Sequence, residues 1–512
     1  MSDSENSKTG QVFEKLLVPA IFAALGAAAV FWVNHRGYTL YFGDAEAHLN
    51  IARRVLDSRT PGASQIGSVW LPLPHLLMLP LVWVDALWRS GLAGAASSAL
   101  CFFVTGWLMF ATARRLFLST AAAAGVAGIL ALNANLLYLQ AVPMTEPVLA
   151  ATVAAVLYCV VRFGEAERMR WLAGAGLAGA AAALARYEGW ALIPAGALFF
   201  LLKAGRRRWL VAASFAALAS LGPLLWLAHN WWYWGDPLEF YRGPYSARAI
   251  YQRLLEGGME RFRGDGDWGQ AAFYYWEAVK TACGRPAVWV GLTGIVAAVL
   301  RRRLWPLLLA VAPPLMIIAS IHSGGTPIYL PHLWPFSYWN TRFGVTALPA
   351  LALGAGRLVS LTPQRLHKFT AALVVLLAAW PWVGGSWPEN TICWKESQVN
   401  SEARRQWVRQ AAWFLRQHYR PGSGILMAFG DLPAVLREAG IPLRESLHQE
   451  NQPAFQAAVA RPDLALFEEW ALAQAGDPVD KALNSPAGRL RYELRHSVAV
   501  QGEPELRIYR RK

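Results

Sequence analysis

Long apolar segments separated by short basic connections constrain this chain more than any other feature of its sequence. The first segment, Leu16 to Val33, contains no charged residue and approaches the roughly 20 residues that a transmembrane helix needs. No small-residue cleavage site follows it, so we expect a retained helix rather than a signal peptide. Further apolar segments occur near residues 72–88, 92–113, 121–140, 146–163, 171–185, 190–203, 208–229, 286–300, 304–321, 343–358 and 367–385. Hydrophobic residues make up 55% of the chain, above the about 45–50% that is usual for soluble domains, so the sequence predicts an integral membrane protein.

The basic connections predict how these segments cross the membrane. Arginine and lysine concentrate in cytoplasmic loops, and the connections lie at 114–115, 162–170, 203–208, 301–303 and 365–368. They all fall on the cytoplasmic side, together with the N-terminus, only if one segment before Arg114 does not span. The best candidate is 72–88, because "LPLPHLLMLPLVW" contains three prolines, which disfavour a continuous helix. We expect an α-helical polytopic membrane protein with about eleven transmembrane helices, a cytoplasmic N-terminus and an interfacial helix at 72–88.

The composition changes near residue 386, where charged residues return at normal density. The stretches "GILMAFGD", "DLALFEEW" and "ELRIYRR" are typical of short strands, and "LPAVLREAG" and "PAFQAAVA" of helices. We expect a transmembrane domain over residues 1–385, with interfacial helices in the outer loop 36–91 and a long outer loop at 230–285. A small soluble α/β domain is expected over residues 386–512, outside the cytoplasm at the plasma or inner membrane.

The formal net charge of +15 raises the question of nucleic-acid binding. The arginines lie in short clusters between apolar segments, such as "RRR" at 206–208, where they orient a membrane protein. The expected partner is therefore the lipid bilayer and not nucleic acid. Cys283 and Cys393 fall in predicted outer regions, where disulfides can form, and the sequence leaves open whether they pair.

An acidic motif, "GDAEAHLNIARRV", directly follows the first transmembrane helix. We expect a helix here, with Asp44 as its N-cap and Glu46 in its first turn. Asp44 and His48 are four residues apart and share a helix face, whereas Glu46 lies on another face with Asn50. Helix capping alone explains both acids. The competing hypothesis is that Asp44 also faces a substrate.

Two further outer turns carry charged residues. Glu146, in "QAVPMTEPVLAA", begins an apolar segment, where the helix dipole favours an acid. Arg186 and Glu188, in "ALARYEGWAL", lie between two apolar segments, where charge is costly and often functional. A local Arg–Glu pair that closes a hairpin is the structural alternative. The predicted topology places these residues on the same side of the membrane as Asp44.

Two more stretches contain candidate site residues. His229 and Asn230, in "AHNWWYWGDP", lie where a helix leaves the membrane, although most of the neighbouring aromatic residues suit an interface belt. Arg342, in "SYWNTRFGVTALPALAL", enters an apolar segment from the outer side. Arginine can hold a phosphate with two parallel hydrogen bonds, and snorkelling to the interface is the alternative.

Carboxylates beside arginines at the level of the lipid headgroups favour group transfer from a phosphate-bearing lipid to a polar acceptor. A carboxylate can take the proton of the acceptor, and arginines can hold the charge of the departing phosphate. No G-x-G-x-x-G or P-loop pattern indicates a soluble nucleotide donor. The alternative is a transporter or flippase of a lipid-linked sugar, for which charges near the middle of helices are expected. A receptor or scaffold would leave the acids near Asp44 without a role.

The chain resembles the GT-C glycosyltransferases that use polyprenyl-phosphate sugars, among them the protein O-mannosyltransferases and the aminoarabinose transferase that acts on lipid A. The resemblance rests on "GDAEAHLNIAR" after the first helix, on "VWLPLPHLLMLP" in the same loop, and on the long outer segment that begins at His229. It implies an inverting transferase whose site opens to the extracytoplasmic face. The implied donor is a polyprenyl-phosphate-linked sugar, and the acceptor is a protein, a lipid or a glycan.

The resemblance also implies roles for individual residues. Asp44 corresponds to the catalytic base, Glu146 to a second outer-loop acid and Arg342 to the arginine that binds the lipid phosphate. The aminoarabinose transferase has a Lys-Pro-Pro motif in the first loop, and here His75 takes the place of the missing lysine. The remaining candidates for substrate binding are Glu46, His48, Arg186, Glu188, His229 and Asn230. We expect no cofactor, although Asp44, Glu46 and Glu146 leave room for a divalent metal.

Overall fold

The computed structural model describes residues 2–301, 305–383 and 388–512. Arg302 and Arg303 of the basic connection at 301–303 lie outside the described residues, and so does the predicted domain boundary at residues 385 and 386, which stays a prediction. The described chain divides into two compact units. The first comprises Met1–Arg36, Leu71–Pro74 and Ala95–Glu396, and the second comprises Gly37–Trp70, His75–Gly94 and Ser397–Lys512.

The first unit is helical throughout its described part. Its α-helices are Ser2–His35, Thr120–Ala131, Ala134–Leu139, Glu146–Ala166, Met169–Ala185, Leu192–Lys203, Arg208–Trp234, Glu239–Arg242, Ala247–Glu256, Trp268–Cys283, Arg285–Leu300, Trp305–His322, Leu348–Leu361 and His367–Val383. Short 3-10 helices lie at Tyr187–Ala191, Thr341–Ala347 and Gln364–Leu366. Three α-helices have residues in both units, namely Leu73–Val82, Leu92–Phe117 and Ile392–His418.

Several of these helices can cross a bilayer. Six helical segments in the described residues are long and apolar enough, and a seventh is added if Trp268–Cys283 and Arg285–Leu300, which meet at a bend of 112°, count as one span. The chain is therefore a multi-pass membrane protein, while the larger number of spans expected from the sequence stays a prediction. The segment 72–88 forms the helices Leu73–Val82 and Asp85–Ser90. Each of them is too short to span a bilayer at 1.5 Å per residue.

Small residues allow helices of the first unit to pack closely. Arg285–Leu300 crosses Leu348–Leu361 at Gly291, Gly294 and Gly354. A Cβ atom at Gly294 would collide with the backbone carbonyl group of Gly354. Close backbone approach at glycine is a common way for membrane helices to associate.

The second unit contains a five-stranded sheet. Its strands are β1 (Ile425–Met427), β2 (Ser446–Leu447), β3 (Trp470–Gln474), β4 (Tyr492–Val498) and β5 (Leu506–Arg511), in the order β2-β1-β3-β5-β4. β1 is parallel to β2 and β3, whereas β5 is antiparallel to β3 and β4. The α-helices that lie wholly within this unit are Gly43–Leu56, Asp85–Ser90, Leu432–Ala439, Ala454–Ala460, Pro462–Ala465, Pro478–Asn484 and Pro486–Arg491.

One strand prediction is wrong. The stretch "DLALFEEW" was expected to be a strand, but its first residues belong to the helix Pro462–Ala465, and β3 begins only at Trp470. Proline is favoured in the first turn of a helix, so Pro462 starts a helical turn where the apolar residues suggest a strand. The strand in "GILMAFGD" and the helix in "LPAVLREAG" are present, as β1 and Leu432–Ala439.

The loop that follows the first helix and the C-terminal tail share one hydrophobic core. Leu49, Met78 and Trp88 from the loop are buried in the same cluster as Leu426 and Trp470 from the tail. The loop helices therefore complete the core of the second unit.

All four cysteines are free. Cys283 is buried, and its Sγ donates to the carbonyl oxygen of Gly344 at 3.3 Å. The pairing of Cys283 with Cys393 that the sequence left open is not formed.

Candidate active site

Glu146 lies at the centre of a buried ion cluster in the first unit. It begins the helix Glu146–Ala166, and its Oε1 accepts hydrogen bonds from Arg186 Nη1 at 2.9 Å and from Arg342 Nε at 3.1 Å. Only 4% of Glu146 and 6% of Arg342 are exposed. Two arginines that are far apart in sequence therefore share one carboxylate.

Hydrogen bonds to three protein side chains hold Arg186 in place. Its Nε and Nη2 donate to the two carboxylate oxygens of Glu188 at 3.1 and 2.7 Å, and its Nη1 also donates to Thr145 Oγ1 at 2.6 Å. With the bond to Glu146, four of its five N–H groups have partners. The local Arg–Glu pair considered as a structural alternative exists, and it is part of a larger network.

Glu396 is a member of this cluster that sequence reasoning missed. It lies near the start of the helix Ile392–His418 and accepts from Arg342 Nη1 at 3.0 Å. Its carboxylate also accepts from the backbone N–H groups of Asn340 and Thr341 at 2.9 and 2.8 Å. Burial raises the pKa of Glu396, and the guanidinium of Arg342 acts in the opposite direction. No sequence signal separates this glutamate from the ordinary charged residues of its helix.

The cluster has more carboxyl groups than guanidinium groups. Glu146, Glu188 and Glu396 share the two guanidinium groups of Arg186 and Arg342. Within the part of the chain that the structure describes, the buried Oε2 of Glu146 has no hydrogen-bond partner. A buried carboxylate oxygen without a partner costs free energy. Oε2 of Glu146 is therefore suited to accept a hydrogen bond from a bound molecule.

A small cavity adjoins this carboxylate. It has a volume of about 20 Å³ and is lined by Glu146, Pro313, Thr346 and neighbouring apolar residues. That volume is enough for one water molecule.

His229 and Asn230 both contact Trp226. The ring of His229 stacks on Trp226 at 4.9 Å, and Asn230 Nδ2 donates to the carbonyl oxygen of Trp226 at 3.0 Å. Trp226 Nε1 in turn donates to Tyr187 Oη at 3.2 Å. Tyr187 stands between Arg186 and Glu188 in the chain, so His229 and Asn230 are connected to the cluster through Trp226 and Tyr187.

Asp44 lies in the second unit, in the first turn of the helix Gly43–Leu56. The prediction that Asp44 is the N-cap is wrong, because the helix begins at Gly43 and Phe42 is the N-cap. Arg404 explains the earlier start: its Nη2 donates to the carbonyl oxygen of Tyr41 at 2.6 Å, and its guanidinium lies against Gly43. Asp44 remains half-buried at the helix N-terminus.

Glu46 faces away from Asp44, as expected from its position. Its Oε1 accepts from Asn50 Nδ2 at 3.2 Å and from Arg437 Nε at 2.7 Å. Arg437 belongs to the helix Leu432–Ala439. The Glu46 side chain therefore has a partner in the tail, and its predicted contact with substrate stays a prediction.

His48 and His75 contact each other. His48 Nδ1 and His75 Nε2 are 2.9 Å apart, and the edge of one ring meets Trp70, whose centroid is 4.3 Å from that of His48. Both histidines are 1% exposed. The sequence placed them in the same predicted site without indicating that they pair.

The structure gives no support for a metal site among the residues that it describes. Among the residues that the structure describes, no group of three or more His, Cys, Asp or Glu side chains is arranged to hold a metal ion. The divalent metal considered from the sequence stays untested.

Comparison with known proteins gives a partial match to one family model and a similar fold. The family model for dolichyl-phosphate-mannose-protein mannosyltransferase matches residues 88–234. A search of curated protein sequences gave no significant match.

Solved structures cover nearly the whole chain. The ArnT of Cupriavidus metallidurans bound to undecaprenyl phosphate is 14% identical, with a TM-score of 0.59 over 96% of this chain and 97% of that one. Its apo form is 15% identical, with a TM-score of 0.57 over 98% of both chains. The oligosaccharyltransferase AglB of Archaeoglobus fulgidus, in complex with an inhibitory peptide and a dolichol-phosphate, is 14% identical, with a TM-score of 0.51 over 93% of this chain and 74% of that one. The chain therefore matches this family model over residues 88–234 and shares its fold with ArnT and AglB.

Proposed function

We propose that the chain is an inverting membrane glycosyltransferase that moves a sugar from a polyprenyl-phosphate donor to a lipid, glycan or protein acceptor on the extracytoplasmic face. The relatives support the class of donor, since one carries undecaprenyl phosphate and another dolichol-phosphate. The observation that carries the proposal is the buried Glu146, which lies between two arginines and keeps one oxygen without a partner in the described chain. A carboxylate and guanidinium groups in one protected cluster suit the transfer of a sugar from a phosphate.

The proposed reaction exchanges one bond at the anomeric carbon. The oxygen or nitrogen of the acceptor forms a bond to that carbon as the bond to the phosphate oxygen breaks, so the configuration inverts. The acceptor proton goes to a carboxylate, and the polyprenyl phosphate leaves with the bonding electron pair. The chain must therefore supply a base on one side of the sugar and positive charge on the other.

We assign the base to Asp44 and a supporting role to Glu146. Asp44 lies half-buried in the first turn of its helix, and a carboxylate can take the proton of the acceptor. Glu146 can accept a hydrogen bond through Oε2. Arg342 is assigned to the lipid phosphate, and Arg186, with one N–H left for a ligand, mainly holds Glu146 in place.

Replacing Asp44 with Asn tests the assignment of the base. Purified protein is reconstituted in vesicles with a polyprenyl-phosphate sugar, and transfer to acceptor is measured. The Asn side chain has nearly the same shape but cannot take a proton, so we expect kcat to fall by about 10²–10⁴-fold. Asp463→Asn is the matched control, because Asp463 pairs with Arg461 on the surface of the tail, and it is expected to keep normal transfer.

The same assay separates this proposal from a flippase. A flippase moves the lipid-linked sugar across the vesicle membrane without releasing polyprenyl phosphate, whereas a transferase releases polyprenyl phosphate in proportion to the glycosylated product. Translocation without release, or normal transfer by the Asp44→Asn variant in the presence of the donor, would contradict the mechanism.

A further inference from the structure

The first unit contains a second, larger cavity outside the ion cluster. It has a volume of about 570 Å³ and lies at the elbow where Trp268–Cys283 meets Arg285–Leu300. None of the candidate catalytic or substrate-binding residues lines it. Its size falls within the range of ordinary ligand pockets.

Basic side chains dominate the charge of this elbow cavity. Lys280, Arg285 and Lys395 line it, and Glu389 is the acid among its lining residues. Lys280 Nζ pairs with Glu277 at 2.6 Å, and Lys395 Nζ lies 3.6 Å from Glu389. Arg285 is exposed and makes no ion pair with any residue that the structure describes. An anion entering the cavity would therefore meet a guanidinium that is not already held in an ion pair.

Two buried polar atoms also lie at the cavity. Trp382 Nε1 is a donor and Asn390 Oδ1 an acceptor, and neither has a hydrogen-bond partner in the described ranges of the chain. Buried polar atoms normally have partners.

Exposed apolar side chains lie on the two helices that contribute Trp380 and Arg285 to the cavity. Trp380 and Val383, at the end of the helix His367–Val383, are 72% and 74% exposed, and Trp289 in the first turns of Arg285–Leu300 is 59% exposed. His367–Val383 lies within one of the segments able to cross a bilayer. Tryptophan is enriched where a membrane helix meets the headgroups, so these exposed side chains suit contact with lipid.

We propose that the elbow cavity binds the phosphodiester headgroup of an anionic phospholipid. The phosphate would lie against Arg285, Lys280 and Lys395, and the acyl chains would run along the exposed Trp380 and Trp289. Basic pockets between membrane helices recognise anionic lipid headgroups in this way, and arginine forms paired hydrogen bonds with phosphate. The proposal uses only the membrane character of the chain and does not depend on the transferase mechanism.

Lipid binding to the purified full-length protein tests this inference. Native mass spectrometry in detergent compares phosphatidylglycerol with phosphatidylcholine for the unmodified chain and for the double variant Lys280→Gln/Arg285→Gln. We expect phosphatidylglycerol to bind more tightly than phosphatidylcholine, and the double variant to lose about tenfold or more of that affinity. The double variant Arg248→Gln/Arg253→Gln is the control, because both arginines are exposed outside the cavity, and it should bind like the unmodified protein.

A charge-conserving variant distinguishes the loss of positive charge from a loss of folding. Lys280→Arg/Arg285→Lys keeps both positive charges and should retain phosphatidylglycerol binding. Equal binding of both lipids, or equal loss in the control variant, would overturn the proposal. Displacement by undecaprenyl phosphate would instead assign the cavity to the sugar donor, and displacement by millimolar inorganic phosphate would assign it to a soluble anion; either result would also overturn it.

Discussion

Glu46 and Arg437 form a two-pronged ion pair inside the second unit. Arg437 Nε donates to Glu46 Oε1 at 2.7 Å, and Nη2 donates to Oε2 at 3.2 Å. Their side chains are only 7% and 12% exposed. The pair joins the helix after the first membrane span to the helix Leu432–Ala439 of the tail, two segments separated by nearly the whole transmembrane region.

Breaking this pair should destabilise the second unit. Glu46→Gln leaves the buried guanidinium of Arg437 with only Glu438 as a counter-charge, at 3.9 Å, and breaking a buried pair costs up to about 3–5 kcal/mol. We expect Glu46→Gln and Arg437→Gln each to lower the melting temperature of the full-length protein in detergent, and the double variant to lose less than the sum of the two. Additive losses would mean that the two side chains do not interact. Exchanging Arg461 for Gln on the tail surface should change the melting temperature little.

Residual transfer by the Glu46→Gln variant separates structure from catalysis. If Glu46 only anchors the tail, transfer per folded molecule stays near normal while stability falls. A large loss of kcat in protein that is still folded would show instead that Glu46 contributes to the substrate site.

Close helix packing in the first unit gives a second prediction. A methyl group at Gly294 would collide with the backbone of Gly354, so Gly294→Ala should force the two helices apart. Overpacking of this kind costs about 1–3 kcal/mol, and we expect a lower melting temperature in detergent. Gly164→Ala is the matched control, because a Cβ there meets no atom within 4 Å and alanine favours a helix. A Gly294→Ala variant as stable as Gly164→Ala would contradict the packing.

Hydropathy and charge were enough to find the main cluster. Glu146, Arg186 and Arg342 stood out because charged residues at the ends of apolar segments are rare, and the structure brings all three together. Glu396 could not be found in this way, since it lies in an amphipathic helix rich in ordinary charges. Its role follows from a contact with Arg342 that joins positions 54 residues apart.

Long-range packing also explains what the sequence could not predict in the second unit. Leu49 and Trp88 join the same core as Leu426, and nothing local in either segment indicates that partner. β2 has two residues, too few to produce a periodic pattern. The N-terminus of the Asp44 helix depends on Arg404, so helix-capping rules applied to the local sequence placed the cap two residues too late.

The buried His448 predicts a pH dependence of stability. The backbone N–H of Glu450 donates to His448 Nδ1 at 3.3 Å, so the ring hydrogen sits on Nε2, which lies 3.5 Å from Ser58 Oγ. Burial, followed by the charges of Arg54 and Arg59, holds the pKa of His448 well below its usual value of 6.5. Below about pH 6.5 the unfolded chain takes up a proton that the folded chain refuses, so stability falls as the pH falls.

We therefore expect the melting temperature to fall from pH 7 to pH 5, with a contribution from this one proton of at most about 1.4 kcal/mol per pH unit. His448→Gln should flatten that part of the profile. The control is His496→Gln, which removes a ring stacked on Phe414 and should leave the slope unchanged. An unchanged slope in His448→Gln would show that other groups cause the effect.

The charge balance around Arg342 gives a test that separates its structural role from its proposed contact with phosphate. Arg342→Gln leaves Glu146 and Glu396 buried without their shared guanidinium, and we expect a loss of about 3–5 kcal/mol together with loss of transfer. Glu146 keeps its ion pair with Arg186, whereas Glu396 loses its ion-pair partner. Adding Glu396→Gln removes that unpaired carboxylate, so the double variant should recover most of the lost melting temperature. If Arg342 binds the lipid phosphate, the recovered protein still fails to transfer sugar, and its KM for the donor or its kcat stays impaired. Recovery of both stability and transfer would mean that Arg342 only neutralises the cluster, and that the positive charge facing the phosphate comes from another residue.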